Sequence, residues 1–527
     1  MALPHDDAWA GDPHRWMIAL AATLASVIQV IDTSIVNVAI PHMMGELGAS
    51  LDEIAWVSTG YIVAAVIVMP MSGWLAAYFG RKRYFAASIL IFTVASFFCG
   101  ASHTLGTLIL WRLVQGVGGG ALLTTSQAII YEAFPRREIG MAMAVFGLGV
   151  MVGPTLGPTL GGWLTDAYSW PWIFYINLPV GAAAAAMVLA YVHDAEHHVK
   201  ATTVDWLGIG LLILAIGSLQ YLLEHGQGEG WFESGLITGL AVVSGTAMAL
   251  LVWRELTIAE PIIDFKVLRH REMWVGTTIG IFMGVALFGS VFVLPIYLQS
   301  MLRMSAWQTG MVILPGAMAT AFSMALSGRL VNRFDARLLI VAGISLFGVA
   351  MWQLSRMTAQ TGADDFFWPL IVRGIGLGLM FVPLTNLTLQ GLARTEIAAG
   401  TALSSFSRQI GGSLGIAALA TLLTHHTRQA KAVLAEHVTL FDGASLERLG
   451  GLARGFQGRG MDAASAQQLA YTVLDRQLTA QASVIAFGKV FLASGAILVA
   501  TLPLLLVVSA ARPRPAGAGA PAMVHAE

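Results

Sequence analysis

Long apolar runs separated by short polar turns dominate the 527-residue chain. A bilayer's hydrocarbon core is crossed by about 20 mostly apolar helical residues. Fourteen such runs start near Trp16, Ile54, Tyr84, Gly106, Gly140, Trp172, Val204, Ser234, Trp274, Trp307, Leu338, Phe366, Ala399 and Ile485. Glycine is spread through these runs instead of gathering in linkers, as expected where membrane helices approach through small residues. The pattern predicts an all-α integral membrane protein of fourteen transmembrane helices.

The polar turns set the orientation, because Lys and Arg concentrate in cytoplasmic loops. One set of turns holds Arg15, Arg81, Lys82, Arg83, Arg136, Arg137, Lys200, Arg254, Lys266, Arg269, Arg271, Arg329, Arg333, Arg337, Arg394, Arg512 and Arg514. The alternate short turns hold only Arg303 and Arg356, so both termini are expected to be cytoplasmic. One connection, from His425 to Ser483 on the other side, is too long for a simple turn. Its Leu, Ala, Gln and spaced charges favour amphipathic helices, with an inert loop as the alternative. The tail ARPRPAGAGAPAMVHAE reads as disordered.

A weak internal repeat aligns Ser72-Gly73-Trp74-Leu75, Phe79 and Lys82 with Ser327-Gly328-Arg329-Leu330, Phe334 and Arg337 at one constant offset. Parallel halves related by an axis along the membrane normal give such a repeat, which points to a transporter. The expected organisation is a six-helix bundle over 1–200, two additional helices over 201–260, and a second six-helix bundle over 261–510. The second bundle carries the outer loop 425–484, and 511–527 forms the tail.

Charge inside the spans carries the candidate chemistry. An ionised Asp at mid-bilayer costs about 2.5 to 3.5 kcal/mol on insertion scales. Asp32 lies in SVIQVIDTSIVNVAIP, where Ser26, Gln29, Asp32, Thr33 and Asn37 share roughly 140° of one helical face. A carboxyl whose surroundings alternate between wet and dry can load and release a proton; a structural helix-to-helix hydrogen bond is the alternative. Arg112 is the main buried cation of the first half, and pairing with Asp32 in one state but not another would switch that carboxyl. A static ion pair is the alternative there. Gln115, one turn along, is expected on the same face. Glu132 and Glu224 close spans and read as interfacial, while Arg373, placed near a membrane surface, Arg408 and Lys489 receive no mechanism. Gly147 to Gly162 in the fifth span, with Pro154 and Pro158, make a pliable, closely packed helix.

Composition narrows the function classes. Hydrophobic residues make up 56% and charged residues 11%, with mean hydropathy +0.72, which argues against a soluble enzyme. The net charge of −1 supplies no field for nucleic acid. The single Cys99 builds neither a disulfide framework nor a Cys-based metal site. The start MALPHDDAWAGDPH has no basic region, so no cleavable signal peptide is expected. GVGGG follows no strand and precedes no Lys-Ser/Thr, so it is no phosphate loop. His193, His197, His198, His425 and His426 lack a carboxylate-supported ligand pattern, and no catalytic constellation stands out. No metal, cofactor or enzymatic activity is expected.

Several motifs in the right order give the chain its resemblance. Asp32-Thr33-Ser34-Ile35-Val36-Asn37-Val38-Ala39-Ile40-Pro41 in span one, and Gly73 through Gly80, Arg81 and Lys82 between spans two and three, are two of them. Arg112, Gln115 and Gly116 in span four follow, then Gly149, Gly153, Pro154, Gly157, Pro158, Gly161 and Gly162 in span five, then Trp172 through Gly181. From about Trp16 to Val508 the chain resembles the fourteen-span drug:proton antiporters of the major facilitator superfamily, of the EmrB/QacA type. Ala77 stands where the loop motif usually has Asp. The resemblance implies a major facilitator fold of two six-helix bundles plus two extra helices. It implies proton coupling through Asp32 and Arg112, with Glu224 at a position where the family often carries an acid. With the stripe of span one, it implies a substrate cavity lined by Gln29, Thr33, Asn37 and Gln115. It further implies a bacterial inner-membrane pump, drug-like substrates, and a periplasmic adaptor (an EmrA-type membrane fusion protein) with an outer-membrane channel, docked through the outer loop. The expected activity is proton-coupled multidrug export, the alternative a dedicated exporter of one metabolite or lipid.

Overall fold

A computed structural model describes residues 12–193, 203–331, 333–358, 360–438 and 443–508. Lys200, His197, His198 and the tail from 509 lie outside them, as do the side chains of Arg136, Arg137, Pro154, Pro158 and Arg394. The described residues are helical throughout their regular structure, as hydrocarbon demands: a helix satisfies every backbone polar group internally. In chain order the first half holds α1 (Arg15–Leu47), α2 (Leu51–Phe79), α3 (Arg81–Gly100), α4 (Leu105–Ala133), α5 (Arg136–Ala167), the single turn α6 (Trp172–Tyr175) and α7 (Asn177–Tyr191). An additional pair follows, α8 (Trp206–His225) and α9 (Gly235–Thr257). The second half holds α10 (Arg271–Ser300), α11 (Ala306–Leu330), α12 (Ala336–Leu354), α13 (Phe367–Leu389), α14 (Ile397–Glu436), α15 (Gly443–Gln457) and α16 (Ala463–Val499).

Among the described residues twelve helices are long and apolar enough to cross a membrane, with α6 and α7 counted as one span. α5 and α14, 32 and 40 residues long, supply the other two of the fourteen expected spans. α14 is the less uniformly apolar of the two because it carries Ser404, Ser405, Ser407 and Arg408. Helix starts follow the local sequence. Ser50 and Ser305 close capping boxes with Glu53 and Gln308, and Thr104, Asp205, Asp335 and Asp462 accept from first-turn amides.

The halves repeat one packing scheme. α1 packs on α5, α2 on α4 and α3 on α4; correspondingly α10 packs on α14, α11 on α13 and α12 on α13. Each half buries its own core, around Phe85, Phe92 and Phe146 in one and Phe347, Phe366 and Phe491 in the other. The repeat extends to single positions. Gly118 of α4 lies so close to α3 that a Cβ there would sit 2.6 Å from the Phe92 nitrogen. Gly376 of α13 meets α12 the same way, 2.7 Å from the Phe347 nitrogen. α8 and α9 pack on each other, with α8 against α2 and α14.

The long outer connection is helical, and more continuous than the span boundaries suggested. α14 runs past His425 to Glu436, and α16 begins at Ala463, well before Ile485. Neither Gly nor Pro interrupts Thr424–Glu436 or Ala463–Phe487, so the sequence holds no stop signal there. α15 packs on α16, and Lys431 reaches Asp475 at 2.7 Å to tie the two extended helices together.

Candidate functional site

Asp32 sits midway along α1 with 0% exposure, and polar groups from two other helices donate to it. One guanidinium nitrogen of Arg112 (α4) donates to its Oδ2 at 2.6 Å. Gln115 Nε2 (α4) and Asn177 Nδ2 (α7) donate to its Oδ1 at 2.9 and 3.1 Å. Gln115 and Asn177 also donate to Ser96 Oγ (α3), at 3.1 and 3.0 Å. Arg112 completes its own set through Gln115 Oε1 at 2.7 Å and the Val57 carbonyl (α2) at 2.9 Å, and it stacks 4.4 Å from the Tyr61 ring centroid. Arg112 is 1% exposed, so charge compensation and hydrogen bonding are internal to the cluster, the condition for burying two charges.

The polar stripe on α1 divides by depth. Towards the side that carries the Lys/Arg-rich loops, the basic side, Ser26 and Gln29 are buried against α4, where Gln29 Oε1 accepts from the Leu123 amide at 3.1 Å. Towards the opposite, far side, Thr33 and Asn37 are exposed, and Asn37 accepts from Ser58 Oγ at 3.4 Å. Of the four residues expected to line the cavity, Thr33 and Asn37 face open space, while Gln29 and Gln115 lie in the packed interior of the first half. The halves meet on the basic side: α5 crosses α11 where Gly140 and Gly328 touch backbone to backbone, Tyr131 donates to Asn386 at 2.5 Å, and Ser405 donates to Gln127 Oε1 at 3.2 Å.

The glycine stripe Gly149, Gly153, Gly157 and Gly161 of α5 lies on α1; a Cβ on Gly153 would come 2.8 Å from Val30 Cγ1. Gly162 faces looser space. Gly73 abuts the start of α14, where a Cβ would sit 3.2 Å from the Ala398 carbonyl carbon, and Gly80 adopts φ 86°, in the left-handed region. Arg81 pairs with Glu132, which places that acid at the basic edge. Lys82 lies in the first turn of α3. Glu224 stands apart from the Asp32 cluster, at the far end of α8, where Thr59 Oγ1 donates to it at 2.7 Å. Among the described residues no group of three metal-ligating side chains occurs.

Sequence reasoning missed Ser96, Tyr61 and Asn177. Asn177 offered a signal, an amide in the otherwise apolar run WIFYINLPVG; Ser96 and Tyr61 offered none. It also left Arg373 and Arg408 without partners, and among the described residues neither has an acid beside it. Both are buried, at 6% and 8% exposure, Arg373 in the protein interior of the second half.

Comparisons with known proteins bear on the family and the fold. The sequence profile described as Major Facilitator Superfamily matches residues 22–416. The chain is 34% identical over 505 residues to the multidrug export protein EmrB of Escherichia coli K12, covering 95% of this chain and 96% of that protein. It is 31% identical over 496 residues to the fatty acid resistance protein FarB of Neisseria gonorrhoeae, covering 93% and 95%. Among solved structures it resembles the human organic anion transporter MFSD10 (TETRAN) with a TM-score of 0.58 at 12% identity, over 92% of this chain and all of that one, a likeness of fold.

Proposed function

Because the chain belongs to the major facilitator superfamily, as a multi-pass membrane transporter of the EmrB type, we propose that it exports hydrophobic and amphipathic drugs in exchange for protons, by alternating access. The observation that carries this reading is the closed Asp32–Arg112–Gln115–Asn177 cluster. Protonating Asp32 removes the charge that holds Arg112 and converts an acceptor oxygen into a donor, so the four-helix junction of α1, α3, α4 and α7 loosens. Substrate bound on the exposed Thr33–Asn37 face and a proton on Asp32 then favour opposite arrangements. One proton moving down ~100 mV contributes about 2.3 kcal/mol, which at 1.4 kcal/mol per tenfold sustains roughly a fortyfold gradient.

The seam closed on the basic side, with Thr33 and Asn37 exposed towards the other, supports assigning this conformation to the release state. We take the basic side as cytoplasmic, with both termini there, and the membrane as the bacterial inner membrane. We keep the bundle boundaries at 1–200, 201–260 and 261–510. Glu224, bonded to Thr59 at the far end of α8, serves as a secondary proton station. The projecting ends of α14 and α16, braced by α15, form a stem suited to docking an EmrA-type periplasmic adaptor and, through it, an outer-membrane channel. A second reading, dedicated export of one lipid or metabolite, draws on the relative named for fatty acid resistance.

The test is pH-gradient-driven efflux of ethidium from proteoliposomes. The wild type should pump, and Asp32→Asn should bind dye but lose dependence on the gradient. Unaltered gradient-driven pumping by Asp32→Asn would sink the proposal.

A further inference from the structure

Among the described residues Arg408 is a buried cation with no counter-ion. It lies on α14, where Gly280 and Gly284 of α10 pack against it. Among the described residues its hydrogen-bond partners are all neutral: Ser404 Oγ at 3.0 Å, Ser405 Oγ at 3.1 Å and Gln127 Oε1 at 3.4 Å. Gln127 comes from α4, so this guanidinium spans the seam between the halves. The same Gln127 amide carries a buried Nε2 with no acceptor. Two sets of donors therefore meet at one point of the seam, and neither has the anion its chemistry calls for. A guanidinium held away from water without a carboxylate is costly, and inside membranes such groups mark substrate or ion pathways.

The second observation is what adjoins it. The Phe381 ring lies 5.4 Å from the Arg408 guanidinium carbon. Phe381 also forms one wall of a narrow crevice, completed by Met283, Leu287, Thr320, Met324 and Leu377. Phe381 packs against the cores of both halves, and Met324 belongs to the core of the first. The crevice therefore lies along the same seam. Two unbranched methionine side chains can rearrange to admit a flexible apolar chain or a flat ring.

We propose that this is a binding site for an amphipathic anion: its carboxylate engages the Arg408 guanidinium and the free Gln127 amide donor, and its apolar body enters the crevice behind Phe381. The site deepens the export reading above by naming a substrate class, and it rests on that reading only for direction of transport. Guanidinium matches carboxylate in a two-pronged geometry that an ammonium lacks. A seam position lets the headgroup partner be uncovered on one side of the membrane and then the other as the halves rock.

The experiment measures equilibrium binding to the purified full-length protein in detergent, with dansyl-aminoundecanoic acid and its uncharged methyl ester as fluorescent probes. No gradient is applied, so failure of the proton-coupling reading leaves this result untouched. The wild type should bind the acid at least about tenfold more tightly than the ester, the worth of one charge-assisted contact. Arg408→Gln should bring the two within about twofold by weakening the acid alone, and Arg408→Lys should retain part of the preference. Gln127→Glu installs an internal carboxylate beside an intact Arg408 and should also abolish the preference, which keeps the test decisive even if Arg408→Gln folds poorly. Equal binding of acid and ester by the wild type overturns the proposal. So does a wild-type preference retained by Gln127→Glu or by Arg408→Gln.

Discussion

The two halves share a scaffold and differ in how they treat buried charge. In α4 the run Gln115-Gly116-Val117-Gly118-Gly119-Gly120 presents Gly116 and Gly120 to α2 and Gly118 to α3. In α13 Arg373-Gly374-Ile375-Gly376-Leu377-Gly378 presents Gly374 and Gly378 to α11 and Gly376 to α12. Arg373 thus stands where Gln115 stands. Phe347 stands where Phe92 stands, and four residues on Met351 takes the place of Ser96. Around Gln115 the first half gathers an acid, an arginine, an amide and a hydroxyl into one satisfied cluster. Around Arg373 the second half offers an apolar core, and the Nε and one terminal nitrogen of that guanidinium are buried without partners. The difference is one of charge on a duplicated frame: the first half buries a paired carboxyl, while among the described residues the second half buries cations and no acid.

The sharpest way to break this comparison is to remove each half's cation. Arg112→Met leaves Asp32 buried and unpaired and should cost about 3–5 kcal/mol, read as a large fall in thermal stability in detergent. Arg373→Met removes two unpaired buried donors and should stabilise by about 1–3 kcal/mol. Equal signs for the two variants would erase the distinction. Adding a methyl where the helices touch sharpens the shared part: Gly116→Ala and Gly374→Ala should each cost about 1–3 kcal/mol through overpacking, and to similar extents.

The smallest effect lies outside both bundles. The Arg254 side chain, hydrogen-bonded at 2.7 Å, holds the Asp205 carboxyl below its ordinary value. Because the folded value is depressed, this contribution is complete above the unfolded value near 3.9 and is lost as pH falls through the folded one. Thermal stability should therefore drop by roughly 1 kcal/mol more between pH 5 and pH 3 in the wild type than in Asp205→Asn.

Much of this was legible in the sequence. Hydropathy marks every span, because hydrocarbon imposes a composition that water does not. Asp32 and Arg112 stand out because each is a charge in an apolar run, and the structure joins them at 2.6 Å. The rest depends on relations between helices. Ser96 and Tyr61 look like ordinary span residues until α3 and α2 are packed against α4. The division of the α1 stripe follows depth in the membrane, which helical angle alone does not report: Ser26 and Asn37 lie at nearly the same angle, yet one is buried and the other exposed. The α14 and α16 extensions were obscured because polarity ends a membrane span without ending a helix.

The central claim is that Asp32 is where substrate and proton exclude one another. The direct measurement is proton release from purified protein in weakly buffered detergent, followed with a pH indicator from pH 5 to pH 8, on adding the uncharged dansyl ester. On addition of the ester the wild type should release protons, and Asp32→Asn should release none while still binding the ester. Equal release from both proteins would contradict the account and place the exchangeable proton elsewhere, with Glu224 the next group to replace.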